Sequence, residues 1–562
     1  MALPYSPRRR KQAIASAVLI LGLFCLLGHY LLVQQTPLIS AHGSLCVETL
    51  ANLEQQAVSW PGIATHAGPI GSDVIDSVKL LDDFERCVLR NGNLKGQQIN
   101  AIEAKLFPYL NLETLETNEK NFWPPRIRWN GDLLRGSVPR FASTGDYKYL
   151  GAAKSKYNKN LSFWGNWLDL LSKSSSKGIV ISVGAGQISD ATKLIKVLRY
   201  QMNALPIEII HRGDLSEDQQ QLLIQAARSA HSASYPAQEL WFVNVSNVLN
   251  PRHAEQFATY SNKWLAIIFS SFESPILVDA DTIPFISLEK YYDFQQYKEM
   301  GLLFFKDRAI TSDLLNKEQL NTLKQIALST IKLGSAAADL NNAIELGIKD
   351  NIAAETVMSM LVEGQKHHME SGLVLLDKSL HLVNLLTSVS LQFSSISSYF
   401  HGDKEWFWIA YLLRNRPFTF HPKQASNVGK LGRVQSEDGK EFYQICSVQV
   451  SHTELDGSLL WINGGLKTCK KNSWTSDYAS NKRISSMFNN EEEVRNYYQS
   501  PVSLEGAIIP SVDKAPWIYT GECAMFSYCT LYKEGEYGEL SKFSEPQREA
   551  YEEVVKIWNS DS

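Results

Sequence analysis

The chain has 562 residues, of which 44% are hydrophobic and 20% charged, a globular composition that excludes a disordered chain. Its length allows two to four small domains or one elaborated α/β enzyme domain. A formal charge of -4 carries no overall signature of a nucleic-acid binder, and 13 Trp suit either a large core or sugar-stacking surfaces.

At the N-terminus, Arg8, Arg9, Arg10 and Lys11 precede the apolar run Ala13–Val33. That run is long enough to span a bilayer, and the cationic cluster holds its N-terminal side in the cytoplasm. The expectation is a cytoplasmic tail over 1–12, a transmembrane signal-anchor over 13–33 and a translocated body. A cleaved signal peptide is the rival reading, although its apolar core is normally shorter. Residues 34–120 read as a stem with an accessory helix, Asp73–Leu89, whose Val74, Val78, Leu81, Phe84 and Val88 share helical spacing. Residues 121–562 read as a lumenal catalytic domain. Six cysteines lie beyond the anchor (Cys46, Cys87, Cys446, Cys469, Cys523 and Cys529), an even number that an oxidising lumen permits to pair. Asn160 and Asn244 head glycosylation sequons.

A strand–helix rhythm begins at Lys177. Gly178–Val183 is a continuous apolar run closed by Gly184-Ala185-Gly186, and Ser189–Asn203 has helical spacing with Ser189 as its expected N-cap. Pro206–His211 reads as a strand, Arg212-Gly213-Asp214 as a turn, and Ser216 with Gln219 as a capping box opening a helix. Leu240–Val245, a helix over Trp264–Phe272 and a strand over Ile276–Val278 follow. Strands that are apolar throughout predict a mostly parallel sheet covered on both faces, with the ligand crevice beyond its carboxyl edge. Leu302–Phe305 and Glu370–Lys378 read as further strands, Ser312–Leu361 as mostly helical, and Leu380–Tyr399 as a long amphipathic helix leading to His401–Trp408. Lys440–Asn463 alternates like antiparallel strands, and Ser544–Trp558 is a terminal helix.

The fourth strand ends in Asp279-Ala280-Asp281. Two carboxylates at i and i+2 of an extended segment lie on one side and offer hard oxygen ligands to Mn²⁺ or Mg²⁺. A cation there neutralises a leaving diphosphate. Two other readings stay open. Strand–DxDT also opens the phosphatases of the haloacid-dehalogenase type, which need a later GDxxxD; the one candidate, Gly402-Asp403, has Phe407 where the second acid belongs. The pair is equally able to cap a strand end.

Six segments occur in order: KGIVISVGAGQ, LPIEIIHRGDLS, ILVDADTIPF, ESGLVLLDK, HGDKEWFW and LLWINGG. Together they resemble the fungal Golgi α-mannosyltransferases of glycosyltransferase family 71, particularly the α-1,3 branch, over about 122–529. The resemblance implies a GT-A-like, Rossmann-type α/β fold with a mixed C-terminal part, in a single-pass type II Golgi membrane protein. It implies GDP-mannose as donor, Mn²⁺ (or Mg²⁺) as cofactor, and mannosylated N- or O-linked glycoprotein glycans as acceptors. A homo-oligomer or a Golgi mannosyltransferase complex is a further implied partner.

Carried over by residue, Asp279 and Asp281 hold metal and donor phosphates, and Gly184 faces the nucleotide. Arg212 and Asp214 reach guanosine, or else form a plain turn. Glu370, Asp403 and Glu405 are the candidate catalytic carboxylates; Asp403 is equally placed to cap the helix after it. Lys378 pairs with a donor phosphate or is a solvated charge. Gly372, Lys404, Trp461, Asn463 and Gly464 fall on the acceptor side, and His452 completes the metal shell or is simply hydrogen-bonded. The expected reaction is retaining mannosyl transfer in α-1,3 linkage. The alternatives are an α-1,2 linkage, a lumenal phosphohydrolase and a non-catalytic glycan-binding protein.

Overall fold

The computed structural model describes Cys46 and residues 69–89, 96–112, 123–174, 176–229, 235–330, 350–435 and 441–560. The expected tail and anchor over 1–33 lie outside them; among the described residues no helix is long and apolar enough to cross a membrane.

The compact unit 57–562 has an eight-stranded mixed sheet at its centre. In chain order the strands are β1 (Arg126–Arg128), β2 (Leu133–Leu134), β3 (Lys177–Ser182), β4 (Ile207–His211), β5 (Leu240–Asn244), β6 (Ser274–Val278), β7 (Leu302–Lys306) and β8 (Met369–Leu376). Their spatial order is β7-β8-β6-β3-β4-β5-β1-β2. Strands β3, β4, β5 and β6 are mutually parallel, as their unbroken apolar runs predict. β8 runs antiparallel between β6 and β7, so β7 points the same way as the parallel set. The carboxyl edge of the sheet therefore collects the ends of β3 to β7 and the beginning of β8.

Both faces are covered. Ile179, Ile181, Ile207 and Ile209 pack with the helices Ile188–Tyr200, Glu217–Arg228 and Glu545–Asn559. The opposite face takes the helix Asn262–Phe269, seven of whose eight residues are buried. The Ser216–Gln219 capping box forms as expected. Ser189 does not cap its helix: the helix starts one residue earlier, at Ile188, with Gln187 as N-cap. The expected amphipathic helix runs over Lys378–Gln392 and is not amphipathic. Leu382–Leu391 is buried on every face, because the helix is held between Ser72–Phe84 and Lys404–Leu413.

A second, six-stranded antiparallel sheet joins Thr282–Pro284 to Leu459–Asn463, Val450–Thr453, Ser426–Gly429, Gly506–Ile509 and Glu539–Lys542. Thr282 directly follows Asp281, so the carboxylate pair sits on the hinge between the two sheets. A four-stranded sheet beyond carries the Cys446–Cys529 disulfide across paired strands. Cys469 and Cys523 are buried thiols, and Cys469 Sγ donates to the Lys471 carbonyl at 3.2 Å.

Candidate active site

Asp279 and Asp281 leave the end of β6 toward different partners. The Asp279 amide donates to the Gly372 carbonyl of β8 at 2.9 Å, and the Asp279 carbonyl accepts from Thr282 N at 3.0 Å, which turns the chain sharply. One carboxylate oxygen of Asp279 lies 2.8 Å from the Lys263 ammonium, at the first turn of the helix Asn262–Phe269. The same ammonium is 3.2 Å from Asp403 and 2.9 Å from Ser371 Oγ, and that hydroxyl donates to Asp403 at 3.0 Å. Burial opposes the Lys263 charge, yet Asp279 and Asp403 outweigh it and hold the ammonium protonated. Burial pushes the Asp279 carboxyl up to about 7; Lys263 pulls it down, while Asp281 and Asp403 add repulsion. Asp403 makes no side-chain capping bond at its helix; its carboxylate is committed to Lys263 and Ser371.

Asp281 is the open member of the pair, with 36% of its side chain exposed. It borders a polar crevice of about 280 Å³ whose wall carries Asp190, Lys193, Lys467, Lys470 and Lys471. Lys470 Nζ stands 3.8 Å from the Asp281 carboxylate. Burial raises the Asp190 carboxyl, Lys193 opposes this, and Asp281 adds repulsion. The turn Asn463-Gly464-Gly465 is fastened to the same residue: Gly464 N and Gly465 N donate to the Asp281 carbonyl at 3.2 and 3.0 Å. Both glycines have φ in the left-handed region (101° and 73°), which a side chain would oppose.

Glu370, at the start of β8, faces the same edge. Its carboxylate accepts from Gly372 N at 3.1 Å and from Asn463 Nδ2 at 2.9 Å. Burial and Asp307 raise its pKa against the pull of Lys404, Arg308 and Lys263. Lys404 is not free to grip an acceptor: its ammonium engages the Asp307 carboxylate and lies 2.9 Å from His367 Nδ1. At the neighbouring strand ends, Gly184 and Asp214 come together, with Asp214 Oδ2 3.8 Å from where a Gly184 Cβ would stand.

Several expectations are corrected. Lys378 is at the opposite end of the sheet, because β8 is antiparallel and carries Glu370 and Lys378 to opposite edges. It is fully buried and bonded to Ser270 O at 2.6 Å, Ser270 Oγ at 3.0 Å and Ile268 O at 3.2 Å, so it meets no donor phosphate. Glu405 is also fully buried; it accepts from the amides of His368 and Met369 and from Trp408 Nε1 at 2.6 Å, and serves as a structural anchor. Trp461 is buried and offers no sugar-stacking face. It fills the space a Gly372 side chain would need, so Gly372 serves sheet packing and not acceptor approach. His452 stacks on Trp461 with ring centroids 4.1 Å apart, beside Phe305, and burial pushes its imidazole down to about 3. His452 is thus a core ring packed between Trp461 and Phe305; among the described residues no group of three or more His, Cys, Asp or Glu is arranged to hold a metal. The Arg212 guanidinium donates to the Ala254 carbonyl at 2.7 Å and braces the 250–261 loop instead of reaching a base. Asn244 is half-buried and its Oδ1 accepts from Ser246 N, unlike the exposed Asn160. Sequence reasoning missed Lys263, Ser371, Asp307 and the lysines of the KTCKK segment; only the last left a readable signal, a basic cluster directly after a turn.

A sheet edge gathering carboxylates beside a lysine-walled crevice is suited to a polyanionic ligand. A mannosyltransferase family model, Mannosyl_trans3, matches residues 176–454. Alpha-1,3-mannosyltransferase MNT2 of Saccharomyces cerevisiae is 48% identical over 87% of this chain and 87% of its own length. MNT4 of the same yeast is 42% identical over 86% and 83%. The chain belongs to the fungal α-1,3-mannosyltransferase family. Among solved structures, core-mannan synthase A (CmsA/Ktr4) of Aspergillus fumigatus, in its Mn/GDP form, aligns over 51% of this chain and 86% of its own at 12% identity and a TM-score of 0.28. That likeness is too low to carry fold or ligand across.

Proposed function

We propose that this chain is a Golgi α-1,3-mannosyltransferase of GT-A-like fold, a type II membrane protein that moves mannose from GDP-mannose onto mannose of N- or O-linked glycans with retention. Its family membership supports the chemistry, and the observation that carries the site is Asp281 standing open against a lysine-walled crevice. A diphosphate carries the charge those lysines complement. Mn²⁺ or Mg²⁺ needs only one or two carboxylates when phosphates and water complete its shell. Asp281 fits that role, with Asp190 on the same wall and Asp279 tied to Lys263. The ion supplies charge neutralisation to the leaving diphosphate.

The remaining work falls to protein groups. Lys193, Lys467 and Lys470 hold the diphosphate, and Gly184 with Asp214 faces the nucleoside. Glu370, oriented by Gly372 N and Asn463, presents negative charge where the anomeric carbon turns positive. Asp403, buried and held by Ser371, positions the Lys263 ammonium against Asp279. A phosphohydrolase needs a later GDxxxD, and Phe407 stands where its second acid belongs. The test is transfer by the full chain in detergent with GDP-mannose, oligomannose and Mn²⁺, wild type beside Asp281→Ala. Transfer lost in the variant, with an α-1,3 product by linkage analysis, supports the assignment. Phosphate release without transfer overturns it, and an α-1,2 product overturns the linkage.

A further inference from the structure

Asp281 borders the lysine-walled crevice, whereas Asp279 is outside that wall and faces Lys263 and Asp403. Beside Lys263 and Asp403 the exposed residues are aromatic. Tyr260 is 52% exposed and lies three residues before Lys263, one helical turn away. His401, also exposed, lies two residues before Asp403 and packs edge-on to Tyr260, with centroids 5.6 Å apart. Two separate chain segments thus bring an aromatic pair to the surface beside Lys263 and Asp403.

Both segments hold unusual backbone to do so. Thr259 has φ 53°, which a β-branched residue adopts at a cost, and Gly402 has φ 73°. A side chain at Gly402 would lie 3.6, 3.7 and 3.8 Å from Cγ, Cδ2 and Cδ1 of Tyr260, so the glycine lets the backbone pass close to the ring. The loop is braced behind by Arg212 on Ala254 O and by Ser261 Oγ on Ala258 O at 2.8 Å. Strained, braced backbone presenting an exposed ring at a site edge is built for contact with a ligand. The side it occupies sets the ligand chemistry. A diphosphate is matched by the lysines, whereas an uncharged ring is matched to the apolar face of a neutral sugar.

We infer that Tyr260, flanked by His401, is the stacking platform for the acceptor hexopyranose, setting its ring beside the Lys263–Asp279 pair. This rests on the transferase reading above and adds to it a specificity-determining residue. The experiment uses the full chain in detergent with Tyr260→Ala and Tyr260→Phe. The expected result is an acceptor KM raised about tenfold in Tyr260→Ala, with GDP-mannose KM unchanged and kcat within about twofold. Tyr260→Phe keeps the ring and stays near wild type. An unchanged acceptor KM, or a donor KM rising in parallel, overturns the inference. A donor-free arm, saturation-transfer NMR of mannobiose, separates this from the function itself. If wild type transfers no mannose, the transferase reading fails, and the platform is judged by that arm alone. Mannobiose bound by wild type and lost in Tyr260→Ala supports it; binding by neither, or equally by both, overturns it.

Discussion

Lys263 Nζ lies 2.8 Å from the carboxylate of Asp279 and 3.2 Å from that of Asp403, joining the strand-end motif to a helix start more than a hundred residues away in sequence. Removing one partner of a buried pair leaves the others uncompensated, which costs more than the net worth of the pair. Lys263→Met is expected to lower stability by about 3 kcal/mol and to cut mannosyl transfer at least about a hundredfold. Adding Asp403→Asn removes part of the stranded charge and restores part of the stability. Denaturant melts of the single and double variants check this; strictly additive losses would break the proposed link.

How much of this was legible depended on strand direction more than on strand position. The apolar runs located β3 to β8 to within a residue or two, and Ser216 with Gln219 announced its helix by chemistry that needs no tertiary partner. Direction has no such local mark. Glu370–Lys378 is visible as a strand, yet nothing within it says that it runs antiparallel, so the sequence puts Lys378 at the edge it points away from. His452 and Trp461 mislead for a related reason. Both strands of the second sheet are buried on both faces there, so alternation marks no inside and outside. Lys263 is hidden differently, since a single lysine opening an apolar helix looks like a solvated charge until two carboxylates from distant segments arrive beside it.

Gly372 separates a packing role from a substrate role. A Cβ at this position would lie 2.7 Å from Thr282 Oγ1, 2.9 Å from the Trp461 ring and 3.2 Å from Asn463 Nδ2. The indole cannot yield easily, being held by His452 and Phe305. Gly372→Ala is therefore expected to destabilise by about 1–3 kcal/mol through overpacking. Activity should fall with stability, because Gly372 O holds Asp279 N and Gly372 N holds Glu370. Thermal unfolding beside steady-state kinetics checks it. A fully stable variant with only a raised acceptor KM would return this glycine to the acceptor site.

Acid tests the buried histidines. Burial holds His452 down at about 3 and His421 at about 4, from an ordinary 6.5, so both are neutral in the fold. Below about pH 6.5 the unfolded chain gains protons that these imidazoles refuse, so their contribution is present above that pH and is lost as pH falls toward 4 and 3. Glu103, raised by burial to about 8, and Asp279, at about 7, act in the opposite sense: they favour the fold at low pH and lose that contribution as pH rises through those values. The bare melting curve therefore mixes both, and the informative quantity is a difference. His452→Phe keeps a ring against Trp461 and removes one titration. Its stability relative to wild type is expected to improve by about 1.4 kcal/mol per pH unit between about pH 6 and 4. Any Mn²⁺ dependence of transfer is expected to stay as in wild type, because the imidazole is stacked in the core on Trp461. Urea unfolding at a series of pH values, with activity against Mn²⁺ concentration measured in parallel, decides both points; a pH-independent difference would refute the buried neutral imidazole, and a lost metal response would restore His452 to the metal shell.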